Sequence, residues 1–114
     1  GMQVGYRVVI ADFGLATFTS DEEGMAMMCG SPGYVAPEVI QQYPYDCRAD
    51  IFSAGSVIYT TAFRRLAFPG TTAVAILSRT LQGNPLFQDP GESCVSPACV
   101  KLIQGCMRAE PTAR

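Results

Sequence analysis

The sequence predicts a mainly α-helical fold with a short β element at the N-terminus. Residues 6–10 are Tyr-Arg-Val-Val-Ile, a β-branched and apolar run that is typical of a short strand. After residue 47, three stretches carry the capping residues and apolar spacing of helices. Helices therefore account for most of the regular structure that we expect.

The first of these helices is expected over about 50–63. Asp50 suits its N-terminus, because a carboxylate accepts hydrogen bonds from unpaired backbone N–H groups and complements the helix dipole. Apolar residues then fall on every side of the helix, at Ile51, Phe52, Val57, Ile58, Ala62 and Phe63. A helix that is apolar all round is typically buried, so this pattern predicts the central helix of the fold.

Two further helices are expected closer to the C-terminus. One covers about 72–82, with Thr71 or Thr72 as its cap and Gly83 as its stop. The other covers about 97–107, with Ser96 as its cap and a proline at its first position. One face of this last helix is expected to pack inward and comprises Cys99, Leu102, Ile103, Cys106 and Met107.

Composition limits the size and the partners of this chain. Its 114 residues make one domain at most, and only 16% are charged where about 25% is usual, so some apolar faces are expected to pack against further chain. The net charge is −2 and the basic residues form no large cluster, which argues against a nucleic-acid partner. The longest apolar stretch, residues 51–63, is too short to span a membrane, and the start of the chain lacks the pattern of a signal peptide.

Cysteine usage indicates an intracellular setting. The five cysteines are odd in number, form no Cys-x-x-Cys pair and have no histidine to join them in a zinc site. We expect them to be free and reduced, in the cytoplasm or the nucleus. Those of the last helix are expected to be small core residues rather than metal ligands.

A long polar segment over residues 12–38 is the main candidate for function. It opens with Asp12-Phe13-Gly14, closes with Ala36-Pro37-Glu38, and has no helical or strand period between them. Pro37 suits the first position of a short helix. Long ordered loops in compact domains are usually functional.

An Asp-Phe-Gly opening and an Ala-Pro-Glu closing frame the activation segment of protein kinases. Two more motifs of that family follow in order: Asp-x-Phe-Ser-x-Gly from Asp50, with Phe52 in place of the usual Trp, and Glu-Pro-x-x-Arg ending at Arg114. The chain therefore resembles a serine/threonine kinase, close to the calmodulin-dependent kinase group. The resemblance implies that 1–114 is a partial protein-kinase-like C-lobe with its activation segment at 12–38.

The resemblance also assigns a nucleotide-binding role. Asp12 would bind the Mg²⁺ that bridges the ATP phosphates, with Phe13 and Gly14 beside it as cofactor-binding residues. The Gly-rich loop, the ATP-binding Lys and the His-Arg-Asp loop of the family are absent from the sequence. We therefore expect ATP and Mg²⁺ in the full-length enzyme and neither on the isolated chain.

Roles in substrate docking and in holding the domain together follow from the same resemblance. The protein substrate would dock on Ser31, Pro32, Gly33 and Tyr34, which we call the docking loop. Glu38 would pair with Arg114, an arginine being suited to a two-pronged contact with a carboxylate. In relatives the Asp of this motif braces the catalytic loop, and the resemblance implies the same role for Asp50 in the full-length enzyme.

Regulation would also fall in the activation segment. Thr17, Thr19 and Ser20 are candidate phosphorylation sites, whereas Met27 occupies the place of a regulatory threonine in many relatives. The acidic run at residues 21–23 is interpreted as a solvated turn, with mimicry of a phosphate as the alternative.

The resulting hypothesis is the C-lobe part of a kinase that transfers the ATP γ-phosphate to protein Ser or Thr. The isolated chain would be inactive, and its partners would be a protein substrate, the N-terminal lobe and the remainder of the C-lobe. One alternative is a pseudokinase remnant that acts as a binding or scaffold module. Another is an unrelated helical domain.

Overall fold

The computed structural model of the protein describes residues 5–25, 29–83, 85, 87 and 95–114. Within these ranges the chain is helical, as predicted. The elements, in chain order, are α1 (Glu22–Met25), α2 (Pro37–Ile40), α3 (Arg48–Phe63), α4 (Ala73–Gln82), α5 (Pro97–Cys106) and a C-terminal 3-10 turn (Pro111–Ala113).

The predicted strand at residues 6–10 does not form. No strand occurs in the described ranges, and the side chains of this run are exposed, Val8 by 93%. A strand is held by hydrogen bonds to a neighbouring strand, and the described part of the chain offers none. A β-branched run is therefore not enough by itself to form a strand.

Helix α3 lies at the centre of the fold and is packed against α5. Gly55 of α3 permits the close approach, since a Cβ there would lie 2.7 Å from both the Cys106 Cβ and the Met107 Cγ. Phe52 and Tyr59 of α3 are buried together with Ile103 of α5. These side chains form the core on which the loops rest.

The first turn of α3 differs from the sequence prediction. The helix begins at Arg48 rather than Asp50, and the cap residue Cys47 makes no side-chain cap. Asp46 supplies the anchor, because its Oδ1 accepts a hydrogen bond from the Arg48 N–H at 2.9 Å. Asp50 instead lies within the first turn, where a negative charge still complements the helix dipole.

The prediction that α3 is buried on all sides is wrong for this chain. Ile51 is 45% exposed and Val57 is 53% exposed, and Ala54 and Thr61 are exposed beside them. Their spacing places these residues on one face of the helix. No described part of the chain covers this face.

The caps of α4 and α5 lie where the sequence placed them. The Thr72 Oγ1 accepts from the Ala75 N–H at 3.1 Å, and Gly83 ends α4 with a φ of 74°. The Ser96 Oγ accepts from the Cys99 N–H at 3.1 Å. Local capping chemistry thus determines these helix starts.

The inward face of α5 is narrower than predicted. Ile103 and Met107 are buried, and Cys99 and Cys106 are half-buried, but Leu102 is exposed. The 3.6-residue period puts Leu102 at the edge of this stripe. The four described cysteines are free, and Cys94 lies outside the described residues. None of the described helices is long and apolar enough to cross a membrane.

Candidate functional site

The docking loop is a tight turn that begins at Ser31. The Ser31 carbonyl accepts hydrogen bonds from the N–H groups of Tyr34 at 3.1 Å and Val35 at 3.2 Å. Gly33 has a φ of 97°, a conformation that side chains other than glycine rarely adopt. Ser31 and Pro32 are exposed whereas Gly33 is buried. The turn therefore leaves its first two residues accessible to solvent.

Two serines of α3 hold this turn by its backbone. The Ser56 Oγ donates to the Gly33 carbonyl at 2.6 Å and is completely buried. The Ser53 Oγ donates to the Tyr34 carbonyl at 2.7 Å. No role for these two serines was evident from the sequence. The available signal was a pair of serines, three residues apart in a largely apolar helix, because a buried hydroxyl needs a hydrogen-bond partner.

Glu38 and Arg114 form the long-range pair that the family resemblance implies. The Arg114 Nη1 lies 2.5 Å from the Glu38 Oε1, and Nη2 lies 2.9 Å from Oε2. The arginine side chain is 0% exposed and that of the glutamate is 7% exposed. This is a bidentate, desolvated ion pair, and it fastens α2 to the C-terminal end of the chain.

Arg114 has further partners that saturate its guanidinium. Its N–H groups donate to the carbonyls of Arg48 at 3.0 Å, Arg108 at 2.7 Å and Ala109 at 3.3 Å. The guanidinium carbon also lies 5.0 Å from the centre of the Phe52 ring. One side chain thus joins α2, the start of α3 and the C-terminal turn.

A second, exposed pair lies beside this junction. The Arg48 Nη2 is 2.6 Å from the Asp46 Oδ2. Hydrogen bonds from the Arg48 side chain lower the pKa of the Asp46 carboxyl to about 2. In turn, the hydrogen bond to Asp46 raises the pKa of Arg48. The pair fixes the segment that leads into α3.

Asp12 lies on an exposed segment. Its φ of 62° is in the left-handed region, which is uncommon for a residue other than glycine. Phe13 accepts a backbone hydrogen bond from Ala16 at 3.1 Å, and its ring is exposed. Nowhere in the described ranges do three His, Cys, Asp or Glu residues meet as a metal site would need. Mg²⁺ prefers six oxygen ligands, so Asp12 would supply only part of its coordination.

The candidate phosphorylation sites share this exposed segment. Thr17, Thr19 and Ser20 are all exposed. The Thr17 hydroxyl donates to the Asp21 Oδ2 at 2.9 Å, while the Asp21 Oδ1 accepts from the Gly24 N–H at 3.1 Å. These two hydrogen bonds, with that from Gly24 the larger cause, lower the pKa of Asp21.

Two remaining sequence predictions are left untested by the described residues. Asp50, expected to brace a catalytic loop, is exposed on the open side of α3. Met27, in the place of a regulatory threonine, lies outside the described residues.

The order of helices, the loop anchored on a central helix and the buried glutamate–arginine tie define a class of protein. They are the parts of the C-terminal lobe of a protein-kinase-like domain. A family model described as "Protein kinase domain" matches residues 3–114. The chain belongs to the protein kinase family.

Curated relatives agree with this assignment. The chain is 32% identical over 105 residues to the serine/threonine-protein kinase ATG1 of Kluyveromyces marxianus, which covers 92% of the chain and 13% of that protein. It is 31% identical over 106 residues to ATG1a of Arabidopsis thaliana, covering 92% and 17%. It is 34% identical over 108 residues to calcium/calmodulin-dependent protein kinase type 1 of Caenorhabditis elegans, covering 95% and 31%. The chain spans less than a third of the length of these relatives.

Proposed function

We propose that this chain is the substrate-docking part of a protein serine/threonine kinase, which transfers the γ-phosphate of ATP to Ser or Thr residues of protein substrates. The observation that carries the proposal is the anchored docking loop. Its carbonyls are held by Ser53 and Ser56, and the helix behind it is tied down by Glu38 and Arg114. The names of the relatives, all serine/threonine or calcium/calmodulin-dependent kinases, support the same activity.

A fixed loop suits the binding of a flexible peptide. Ordering both partners at the moment of binding opposes association, so a surface ordered beforehand binds a given peptide more tightly. Ser31 and Pro32 are exposed at the top of the turn, while the Gly33 and Tyr34 carbonyls are engaged from below. The exposed Ser31 hydroxyl would contact the catalytic groups of the full-length enzyme, as the resemblance implies.

ATP and Mg²⁺ belong to the full-length enzyme in this proposal. Bound Mg²⁺ would neutralise negative charge on the phosphates. Asp12 would supply a carboxylate ligand, with Phe13 and Gly14 setting the course of the backbone around it. Among the described residues, Asp12 is not part of a cluster of three or more His, Cys, Asp or Glu side chains that could complete the set. The isolated chain is therefore expected to show no saturable ATP binding in calorimetry.

The exposed face of α3 is what we expect if this chain is one part of a larger kinase domain. Ile51, Ala54 and Val57 form an apolar strip, with Asp50 at its N-terminal end. The N-terminal lobe and the remainder of the C-lobe would supply its cover, and Asp50 would then brace the catalytic loop. Burying such a strip is favourable by about 25 cal/mol for each Å² of apolar surface.

The Asp12→Ala variant of the full-length protein tests the proposed activity. Phosphate transfer to a Ser/Thr peptide is expected to fall by about 100-fold or more, because a ligand of the charge-stabilising metal is lost. The thermal midpoint should stay close to that of the parent, since Asp12 is exposed. Glu22→Ala removes an exposed carboxylate from the same segment and serves as the control. Near-normal turnover in Asp12→Ala would contradict the metal-binding role.

A binding module without catalysis is the second candidate. It is favoured by the docking loop, which is anchored entirely by residues of this chain and needs no nucleotide. A full-length protein that binds peptides at the docking loop but transfers no phosphate to any of them would establish this alternative.

A further inference from the structure

Ser56 of α3 is completely buried, and its hydroxyl is directed at the docking loop. The residue is 0% exposed, and its Oγ donates to the Gly33 carbonyl at 2.6 Å. Because the two residues lie 23 positions apart in the sequence, this bond fastens the turn to the helix instead of stabilising the turn locally. Breaking it leaves a buried donor and a buried acceptor unpaired, which is the costly case for a hydrogen bond.

Gly33 lies where the docking loop meets three other parts of the chain. Its carbonyl is bound by α3, and a Cβ placed on it would lie 3.3 Å from the Leu66 Cδ2 and 3.8 Å from the Ile76 Cγ2. Leu66 belongs to the linker after α3, and Ile76 belongs to α4. These apolar contacts limit the movement of Gly33 but do not set the direction of its carbonyl. A hydrogen bond is directional and does so.

Ser53 holds the next carbonyl of the turn less firmly. Its Oγ lies 2.7 Å from the Tyr34 carbonyl oxygen and 3.2 Å from that of Ala49, and a hydroxyl has one proton to donate. If the turn moves away, the Ser53 proton has an alternative acceptor within its own helix. The Ser56 hydroxyl has no second acceptor among the described residues. Of the two serines, Ser56 therefore opposes movement of the turn more strongly.

We propose that Ser56 is a positioning residue for the protein substrate, because its hydroxyl holds the docking loop in the conformation that binds the peptide. The inference rests on the proposed kinase function and assigns to Ser56 control of the KM for the peptide. The apparent affinity of a site falls in proportion to the fraction of molecules in the binding-competent conformation. Ser56 is buried beneath the turn, so it acts through the loop and not by touching the peptide.

The test uses the full-length protein and the serine peptide that it phosphorylates fastest in a random pool. In Ser56→Ala the KM for this peptide is expected to rise about two- to tenfold, the range by which one hydrogen bond changes an equilibrium. The kcat and the KM for ATP should change by less than about twofold, because a change in peptide binding alone appears in the KM for the peptide. A purely structural role would instead lower the amount of folded enzyme, which reduces kcat at an unchanged KM.

Three further variants identify the hydrogen bond as the cause. Ser56→Cys keeps the space filled with a weak donor, so its KM should lie between those of the unmodified protein and Ser56→Ala. Ser53→Ala should raise the KM less than Ser56→Ala does. Thr60→Val is the matched control and should leave the KM unchanged. It removes a half-buried hydroxyl of α3 that donates to the Ser56 carbonyl within the helix and not to the loop.

An unchanged KM for the peptide in Ser56→Ala would overturn the proposal, as would an equal rise in Thr60→Val. A KM in Ser56→Cys equal to that of the unmodified protein would also overturn it, because packing would then hold the turn. A larger rise in Ser53→Ala than in Ser56→Ala would overturn the choice of Ser56.

The assay separates this proposal from the function on which it rests. Turnover of the peptide with the same KM in Ser56→Ala would reject the positioning role and leave the kinase activity standing. If no peptide of the pool is phosphorylated, the kinase activity is rejected, and fluorescence anisotropy then compares binding of the labelled pool. Weaker binding by Ser56→Ala than by Thr60→Val would support the positioning role at a binding site, and equal binding would overturn it.

Discussion

Replacing Arg114 with Ala should destabilise the domain by about 5 kcal/mol, the upper part of the range for removing one partner of a buried ion pair. The structure gives the reason. The substitution leaves the Glu38 carboxylate 7% exposed without its cation, and it removes hydrogen-bond donors from three backbone carbonyls. The ring of Phe52 also loses its cationic neighbour.

Glu38→Ala should cost less, about 3 kcal/mol. The guanidinium would keep its hydrogen bonds to the carbonyls of Arg48, Arg108 and Ala109 and its contact with Phe52. The two single variants are therefore unequal. In the double variant no charge is left unpaired, so its cost should be smaller than the sum of the single costs by about 0.5–3 kcal/mol.

Urea unfolding of the intact domain, followed by circular dichroism, measures these free energies. Lys101→Ala and Glu22→Ala remove exposed charges and should each change the free energy of unfolding by no more than about 0.5 kcal/mol. Strict additivity of Glu38→Ala and Arg114→Ala would refute the reasoning, because two groups in direct contact must be coupled.

Three other predictions address the loop, the helix contact and the pH dependence. Ser56→Ala should destabilise the domain by about 1–3 kcal/mol and speed amide exchange in the docking loop, because a buried carbonyl loses its donor. Gly55→Ala should destabilise it by about 1–3 kcal/mol through overpacking against α5, whereas Gly105→Ala, with nothing within 4 Å, should stabilise it by about 0.5–1 kcal/mol. The Asp46 carboxyl, with its pKa lowered to about 2 by Arg48, should remain ionised at pH 3 in an NMR titration.

The sign of the Asp46 effect follows from its lowered pKa. The stabilisation by the Arg48 pair is present above the unfolded-state pKa of about 3.9 and is lost as the pH falls through the folded-state pKa. Asp46→Asn should flatten this part of the stability profile. An Asp46 carboxyl that titrates near pH 4 would contradict this prediction. For the helix contact, equal losses of stability in Gly55→Ala and Gly105→Ala would contradict the packing argument.

Local chemistry and recognised motifs account for the parts that were predictable from the sequence. Thr72 and Ser96 cap their helices through bonds to residues three positions away, so the sequence alone contains the necessary information. The pairing of Glu38 with Arg114 spans the chain, and only the family motifs at its two ends indicated it. The roles of Ser53 and Ser56 escaped prediction because their partners are distant backbone carbonyls.

The errors have a common physical origin. The run at residues 6–10 has strand propensity but no strand to pair with among the described residues, and α3 has apolar residues on a side that the described residues leave open. Both predictions depended on neighbours rather than on the segment itself. The observed start of α3 differs from the predicted one for a more local reason. The first N–H of the helix is capped by Asp46, which precedes the helix, whereas the prediction used Asp50 as the cap.

The hydrogen bonds that anchor the docking loop involve only its main chain. Ser53 and Ser56 bind carbonyl groups, which every amino acid carries. The exposed side chains at positions 31 and 32 can therefore be exchanged without loosening the turn, while position 33 is restricted to glycine by its positive φ. Such a separation would allow the exposed surface of the turn to be changed by substitution while the supporting helix and its two hydroxyls stay the same.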